Sequence, residues 1–410
     1  MTALLIHKGT SEIGGNALEI SDEEIRLLFD YGIPLESMEK ENYKPEDYKL
    51  PIKGLYKNEN PEFKAVFLTH AHLDHFGLMR LINSKIPIYV SRITYDILTK
   101  VLPLLPKQHT ANLNLNVIDD EIDFGEMKVK VYNVDHSIAG ACAYEIETDG
   151  KKIVYTGDIR FHGRASWQSE IFAEKIKNSD YLIMEGTTLG RKEQMVLKEE
   201  DLESEFIEIF KGDKLPLVQF SSQSLDRFVT VYRACLKTGK IFVIDPYTCF
   251  VLETYKSLGK NIPQYDWNNI RVNFAQSSIN NKLADLEILY RYKSKKIKTD
   301  EIIKNPEKYV VKGNFSINRQ ILGNMDKSRI NIVFSMWSGY LDRPNQFENY
   351  KDIITLLHTS GHAYVEDLQK FVEKTQPKNI IPIHTEHKEK YKNLFKANII
   401  ELQDGEELIL

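Results

Sequence analysis

Four side chains able to hold a metal ion fall between residues 70 and 75 in Thr69-His70-Ala71-His72-Leu73-Asp74-His75. One tetrahedral ion closes with three or four ligands, so a set this dense suits two adjacent ions. His70 and His72 would serve one ion and Asp74 and His75 the other. Only 11 histidines occur in 410 residues, so three in one short stretch stand out against a polar loop. Three further candidates share one context, the end of an apolar strand. His136 follows Val129-Lys130-Val131-Tyr132, Asp158 follows Ile153-Val154-Tyr155, and His384 follows Ile380-Ile381-Pro382-Ile383. Each alone reads as a structural His or a turn Asp. Together with the opening cluster they read as a two-ion site, in which Asp158 can bridge through both oxygens and Gly157 lets the backbone come close.

The elements that must position these residues follow from apolar periodicity. Ala65-Val66-Phe67-Leu68 reads as a buried strand, and an extended chain through His72 would point His70 and His72 to one side. Phe76–Ile82 has helical spacing, which predicts a helix near 76 to 83 and puts Asp74 and His75 where strand gives way to helix. Strands are expected at 2–8, 16–20 and 25–29, the last ending at Asp30-Tyr31-Gly32, followed by a polar connection from about 36 to 62 and a strand at 86–90. Asp149-Gly150 between Ala143–Glu147 and Lys152–Tyr155 is a hairpin signal. From about 191 the chain alternates helix (197–211), strand (215–220), helix (224–237), strand (240–245) and helix (248–258), which implies parallel βαβ units. Residues 282 to 313 are lysine-rich and read as helical. A strand at 353–357, a helix at 364–375 and a strand at 379–383 close the chain. The expected organisation is a first domain in two parts, 1–190 and 346–410, with a second domain, 191–345, inserted.

The order His70-x-His72-x-Asp74-His75, then His136, then Asp158, resembles the metallo-β-lactamase superfamily. Later stretches resemble its β-CASP branch of nucleases: Ile183-Met184-Glu185-Gly186-Thr187-Thr188, Ser360-Gly361-His362-Ala363-Tyr364, and Pro382-Ile383-His384-Thr385-Glu386. Phe220-Ser221-Ser222 with Asp226-Arg227 looks like the strand-to-helix turn of that branch's inserted domain. By pattern the chain is most similar to RNase J and to RNA 3′-end processing endonucleases. The resemblance implies an α/β fold, a metallo-β-lactamase αβ/βα sandwich with an inserted Rossmann-like β-CASP domain and a substrate groove between the two. It implies two Zn²⁺ per chain, with Mn²⁺ as an alternative ion. His70, His72, His136 and Asp158 would hold one, and Asp74, His75, Asp158 and His384 the other. Asp74, Glu185 and His362 would be the catalytic set, with His362 oriented by Glu185 as proton donor to the leaving ribose oxygen. The implied activity is a zinc-dependent ribonuclease in which two metals activate a hydroxide against an RNA phosphodiester. His384 at its position resembles the RNA-acting members. The chain departs from the family in having His162 where an acidic residue is frequent. Alternatives are a small-molecule metallo-hydrolase of the same superfamily, a DNA-directed nuclease, or a non-catalytic RNA-binding relative. Both exonuclease and endonuclease action are compatible with the ligand set.

Ser360 and Gly361 are expected at a helix start, where free amides suit a phosphate, or where Ser360 is an ordinary N-cap. Ser221 and Ser222 are the other RNA-contact candidates. Tyr290–Lys298 reads as a solvated helix face or an RNA path, and Trp337 as core or as a base-stacking platform on a loop. The net charge of −5 argues against a diffuse cationic surface, so nucleic acid would bind through a local groove or the metals. Cys142, Cys235 and Cys249 are odd in number and read as reduced core thiols. With no signal peptide and no apolar run of membrane length, the expectation is a cytoplasmic protein with RNA as partner, no membrane, and a homodimer left open.

Overall fold

A computed structural model describes residues 1–35, 44–105, 112–191, 197–259, 261–275 and 277–410. The expected polar connection from 36 and the boundary at 191 fall partly on or beside residues outside this set. The chain divides into two compact units, one of Met1–Pro103, His109–Gln194 and Gly361–Leu410, the other of Leu104–Gln108 and Met195–Ser360.

Among the described residues the first unit is built on two seven-stranded sheets. The first runs Glu407–Ile409, Ala3–Lys8, Ala17–Ser21, Arg26–Phe29, Ala65–Phe67, Ile88–Val90 and Leu115–Val117. The second runs Asn398–Ile399, Asn379–Ile383, Tyr181–Glu185, Lys151–Tyr155, Cys142–Thr148, Met127–Asn133 and Glu121–Asp123. Strand alternation sends Leu4, Ile6, Leu27, Phe29 and Phe67 of the first sheet onto Tyr144, Ile146, Tyr155, Ile183 and Ile381 of the second, forming one core between them. The opposite side chains, Val154, Leu182 and Met184, pack under the helices Ser166–Lys175 and Val365–Thr375 through Phe172, Leu368 and Phe371. This is the α/β sandwich that the resemblance implied. The hairpin turns at Asp149 and Gly150, both at positive φ (49° and 69°).

The second unit is a seven-stranded, all-parallel sheet in the order Lys296–Ile297, Ile270–Asn273, Ile241–Ile244, Tyr309–Lys312, Leu215–Gln219, Ile330–Phe334 and Ile354–Leu356. One face packs under Glu199–Phe210, Leu225–Thr238 and Pro246–Thr254, the other under Thr299–Lys304 and Phe315–Asn324. Near-continuous apolar strands such as Ile241–Ile244 follow from helices on both faces.

Three expectations are corrected. The stretch 282–313 is not a helix: Ser278–Asp285 ends before Glu287 at φ 58°, and Tyr309–Lys312 is a central strand. Pro306, which cannot donate a backbone hydrogen bond inside a helix, interrupts the stretch. The strand at 354–356 bonds to Ile330–Phe334, so the second unit extends past 345 to Ser360. The helix after the histidines is only Leu73–Phe76, followed by a 3-10 turn at Met79–Leu81. Its continuation is blocked because Tyr31 N donates to His75 O (2.8 Å), the carbonyl that a further turn would use.

Gly32 is the tightest point of this junction, since a Cβ there would lie 1.6 Å from the Asp74 carbonyl oxygen. Gly32→Ala is expected to cost about 3 kcal/mol and to displace the Asp74 segment. Gly323→Ala, on an exposed helix position with nothing within 4 Å of the new Cβ, is expected to add roughly 0.5 kcal/mol. Denaturant unfolding of the two variants checks the contrast; equal effects would contradict it.

Candidate metal centre

The site lies at the carboxyl ends of strands in the first unit. Asp158, Glu185 and His384 end three adjacent parallel strands, Lys151–Tyr155, Tyr181–Glu185 and Asn379–Ile383, so register alone sets them side by side. His136 follows Met127–Asn133 and the His70–His75 stretch follows Ala65–Phe67. The strand stops at Phe67, yet a bend at Ala71 still turns His70 and His72 together. His384 itself sits at φ 53°, a left-handed conformation that a non-glycine residue adopts only when its surroundings impose it. Its amide is held by Gly9 O at 2.8 Å.

The structure brings the other six ligand candidates together around Asp158. His70, His72, His136 and Asp158 form one group, and Asp74, His75, Asp158 and His384 another, each with ligand atoms within 4.8 Å of one another. In the first, Nε2 of His70 and Nε2 of His136 lie 3.0 and 3.2 Å from His72 Nδ1. In the second, His75 Nε2 lies 3.2 Å from Asp158 Oδ2 and His384 Nε2 lies 3.4 Å from Asp74 Oδ2. Glu185 and His362 complete a third group with Asp158 and His384. His362 Nδ1 lies 3.1 and 3.0 Å from the two Glu185 oxygens, while Ile159 N donates to Glu185 Oε1 (2.9 Å).

The outer bonds decide which ring nitrogen faces inward. His136 Nδ1 donates to Gly361 O (2.6 Å), which leaves Nε2 bare toward the cluster. His75 Nδ1 donates to Asp30 Oδ2 (2.7 Å) with the same consequence. His384 Nδ1 pairs with the Thr187 hydroxyl (2.8 Å). Asp30 and Thr187 had no role in the sequence reading. Asp30 is fully buried at φ 58° and also accepts from Thr69 N, Thr69 Oγ1 and Tyr155 OH. Its sequence signal, an Asp at the end of Arg26–Phe29, was visible without being specific.

The electrostatics call for a cation. Burial pushes His72 down to about 4 and His70 and His136 well below the usual imidazole range, so these rings present lone pairs rather than charge. Burial also opposes charge on His75, but the carboxylates of Asp158 and Asp30 outweigh it and hold the ring well above its usual range. Burial likewise disfavours charge on His384, which Asp158 and Asp74 raise. For Asp158 the burial cost is overcome by His384, His75 and His362, which keep it ionised. Both Asp158 oxygens and His75 Nε2 are buried with no hydrogen-bond partner. Buried carboxylate oxygens without a hydrogen-bond partner, set among ring nitrogens, are the donor set of a divalent metal, so the residues fit such an ion.

The remaining candidates lie elsewhere. Ser360 and Gly361 are not at a helix start: the helix begins at Val365 with Tyr364 as cap. The preceding chain is held off helical geometry by Ala363 N bonding Ile159 O (2.7 Å), and the Gly361 carbonyl is taken by His136. A Cβ at Gly361 would lie 2.8 Å from Ser137 Oγ, so the close approach needs glycine. His162 is buried against Tyr364 (4.5 Å). Ser221 and Ser222 form the turn between Leu215–Gln219 and Leu225–Thr238 in the second unit, where Ser222 pairs with Thr248 (2.9 Å). Arg227 is buried in an ion pair with Glu199 (2.9 Å).

Residues 45–210 match a beta-lactamase superfamily domain, which together with the two-sheet sandwich makes this a metallo-β-lactamase-type protein. Residues 349–401 match a Zn-dependent metallo-hydrolase RNA specificity domain. The chain is 28% identical over 266 residues to an RNase J-like protein of Methanocaldococcus jannaschii, covering 60% of this chain and 58% of the relative. It is 26% identical over 434 residues to Ribonuclease J of Mycoplasma pneumoniae, covering 94% of this chain and 68% of that one. The chain thus spans some three fifths to two thirds of the length of these curated relatives. A crystal structure of a protein of unknown function from Enterococcus faecalis V583 shares the fold over the full length of both chains, with a TM-score of 0.81 at 24% identity. The two matched domains and these relatives together support a β-CASP type of metallo-β-lactamase-fold nuclease as the family of this chain. Among the described residues no helix is long and apolar enough to cross a membrane.

Asp30→Asn removes the charge that orients His75. It is expected to weaken divalent-metal binding about 10–100-fold, measured by competition with a chelator. Unchanged affinity would mean that His75 needs no such support.

Proposed function

We propose that this chain is a ribonuclease that hydrolyses RNA phosphodiester bonds at two zinc ions. One observation carries the reading: six side chains from widely separated segments converge on a seventh, Asp158, with the Glu185–His362 pair against the same carboxylate. The names of the relatives and of the domain matched at 349–401 support RNA as the substrate, and that domain contains His362 and His384.

His70, His72, His136 and Asp158 would hold one ion, and Asp74, His75, Asp158 and His384 the other. When bound, such ions neutralise charge on a phosphate and make water a stronger acid near neutral pH. The chain's own residues supply the rest. Asp158, which belongs to both groups and whose two oxygens make no hydrogen bond, would serve both ions. Asp74, paired with His384 (3.4 Å), fixes the ring that closes the second group. His362 is partly exposed, and its Nδ1–H donates to Glu185, so the doubly protonated ring would give its Nε2 proton to the departing ribose oxygen. Glu185 thus sets the orientation of His362. The Ser221–Ser222 turn and Ser360 are retained as RNA contacts, Ser360 now without the helix-terminus argument.

Purified protein is to be given linear and circular RNA and matched DNA, with and without zinc. RNA cleavage is expected, and cleavage of the circle would establish endonuclease action. His362→Ala is expected to lower turnover about 10²–10⁴-fold with zinc content unchanged. Loss of zinc in that variant would make His362 a ligand instead.

A further inference from the structure

We propose that the second unit carries a base-stacking platform for single-stranded RNA, formed by Phe315, Trp337 and Tyr340 with Arg319 and Arg343. This deepens the ribonuclease reading and rests on it, because it names how that substrate's bases are held.

The three aromatic side chains are large, apolar and turned to solvent: Phe315 is 69% exposed, Trp337 47% and Tyr340 48%. Trp337 is therefore not core. Its loop is nonetheless anchored, because Met336 and Leu341 pack inward against the buried cluster that includes Phe334 and Phe347. The Trp337 and Tyr340 rings meet edge to face at 5.6 Å and 80°. A Cβ on Gly339 would lie 2.3 Å from the indole, so the loop is shaped around that ring. The Arg343 guanidinium sits 5.3 Å from the Tyr340 centroid.

Phe315 belongs to the same surface by topology. The loops after Tyr309–Lys312 and Ile330–Phe334 flank the end of Leu215–Gln219, the strand between them. Gly313 N bonds Val218 O (2.8 Å) and Ser335 N bonds Gln219 O (2.9 Å), so both loops are pinned to one strand end. The two outer strands stand roughly 9–10 Å apart at ordinary sheet spacing. Ile317 and Ile321, which anchor the Phe315 helix, pack in the same core cluster as Met336 and Leu341, which puts both loops on one side of the sheet. Arg319 follows Phe315 by one helical turn and shares its face. No acidic residue occurs between Lys312 and Met325. Ser221 and Ser222 continue from the middle strand.

Exposed aromatic rings, one of them beside a guanidinium and another one helical turn from an arginine, at the carboxyl edge of a parallel sheet, are the chemistry of stacked bases on a polyanionic strand. Stacking is indifferent to base identity, so the platform would hold single strands with little sequence preference.

The test compares metal-loaded wild type, Phe315→Ala/Trp337→Ala and Trp337→Phe, each first checked for an unchanged melting temperature. On single-stranded RNA the double variant is expected to lose about ten-fold or more in kcat/KM, and Trp337→Phe to retain most of it. On RNA of the same length with abasic residues the difference should vanish. RNA should quench tryptophan fluorescence in the wild type and leave Trp337→Phe unquenched. An unchanged kcat/KM in the double variant, an equal loss on abasic RNA, or a quench persisting in Trp337→Phe would overturn the platform. So would a wild-type dimer that the double variant dissociates, since the patch would then face a second copy. RNA that is bound with Trp337-dependent quenching but never cleaved would sink the ribonuclease reading and leave the platform standing; neither quench nor cleavage would overturn both.

Discussion

Three carboxylates, those of Asp30, Asp74 and Asp158, are buried within one small volume, and the rest of the first unit answers the charge they bring. An isolated buried carboxylate is costly enough that it must be paired, hydrogen-bonded or neutralised. Asp30 is met by a tyrosine, a threonine and the ring of His75. Asp74 is met by His384. Asp158 is surrounded by ring nitrogens, the nearest being His75 Nε2 at 3.2 Å, and several of these rings are held uncharged by burial. Protons on His75 and His384 meet part of that demand, and divalent ions would meet it more completely.

The fold explains how one chain can assemble such a cluster. Parallel pairing delivers the strand ends that carry Asp158, Glu185 and His384 at the same height, and the sandwich brings the first sheet's His70–His75 turn against them. Where geometry is tightest the backbone is specialised: glycine at 32 and 361 for lack of space, and Asp30 and His384 in left-handed conformations. Strain at these positions is carried by the surrounding core.

The ligand cluster could be read from residues 70 to 75 because metal spacing is local and histidine is scarce. The strand-end pattern extended the reading to His136, Asp158 and His384, which the structure brings together with it. Asp30 escaped because its meaning lies in contacts 39 to 125 residues away, and a single Asp after a strand carries no such mark. The short strand Tyr309–Lys312 was lost within a lysine-rich stretch, where three apolar residues weigh less than their surroundings. The helix expected at 76–83 failed because a backbone bond from Tyr31 captures the carbonyl it needed. Ser360 was misplaced for a similar reason, since long-range bonds from Ala363 N to Ile159 O and from His136 to Gly361 O hold the 361–363 chain off helical geometry.

The account turns on whether the Asp158 cluster is a divalent-metal centre that drives RNA hydrolysis. Stepwise addition of zinc to metal-free protein, with bound metal and RNA cleavage followed together, tests this most directly. Activity should rise with occupancy and level off at two zinc ions per chain, and Asp158→Ala should hold neither ion and cleave nothing. Metal-free protein that cleaves RNA at full rate, or an Asp158→Ala variant that still binds two ions, would contradict it.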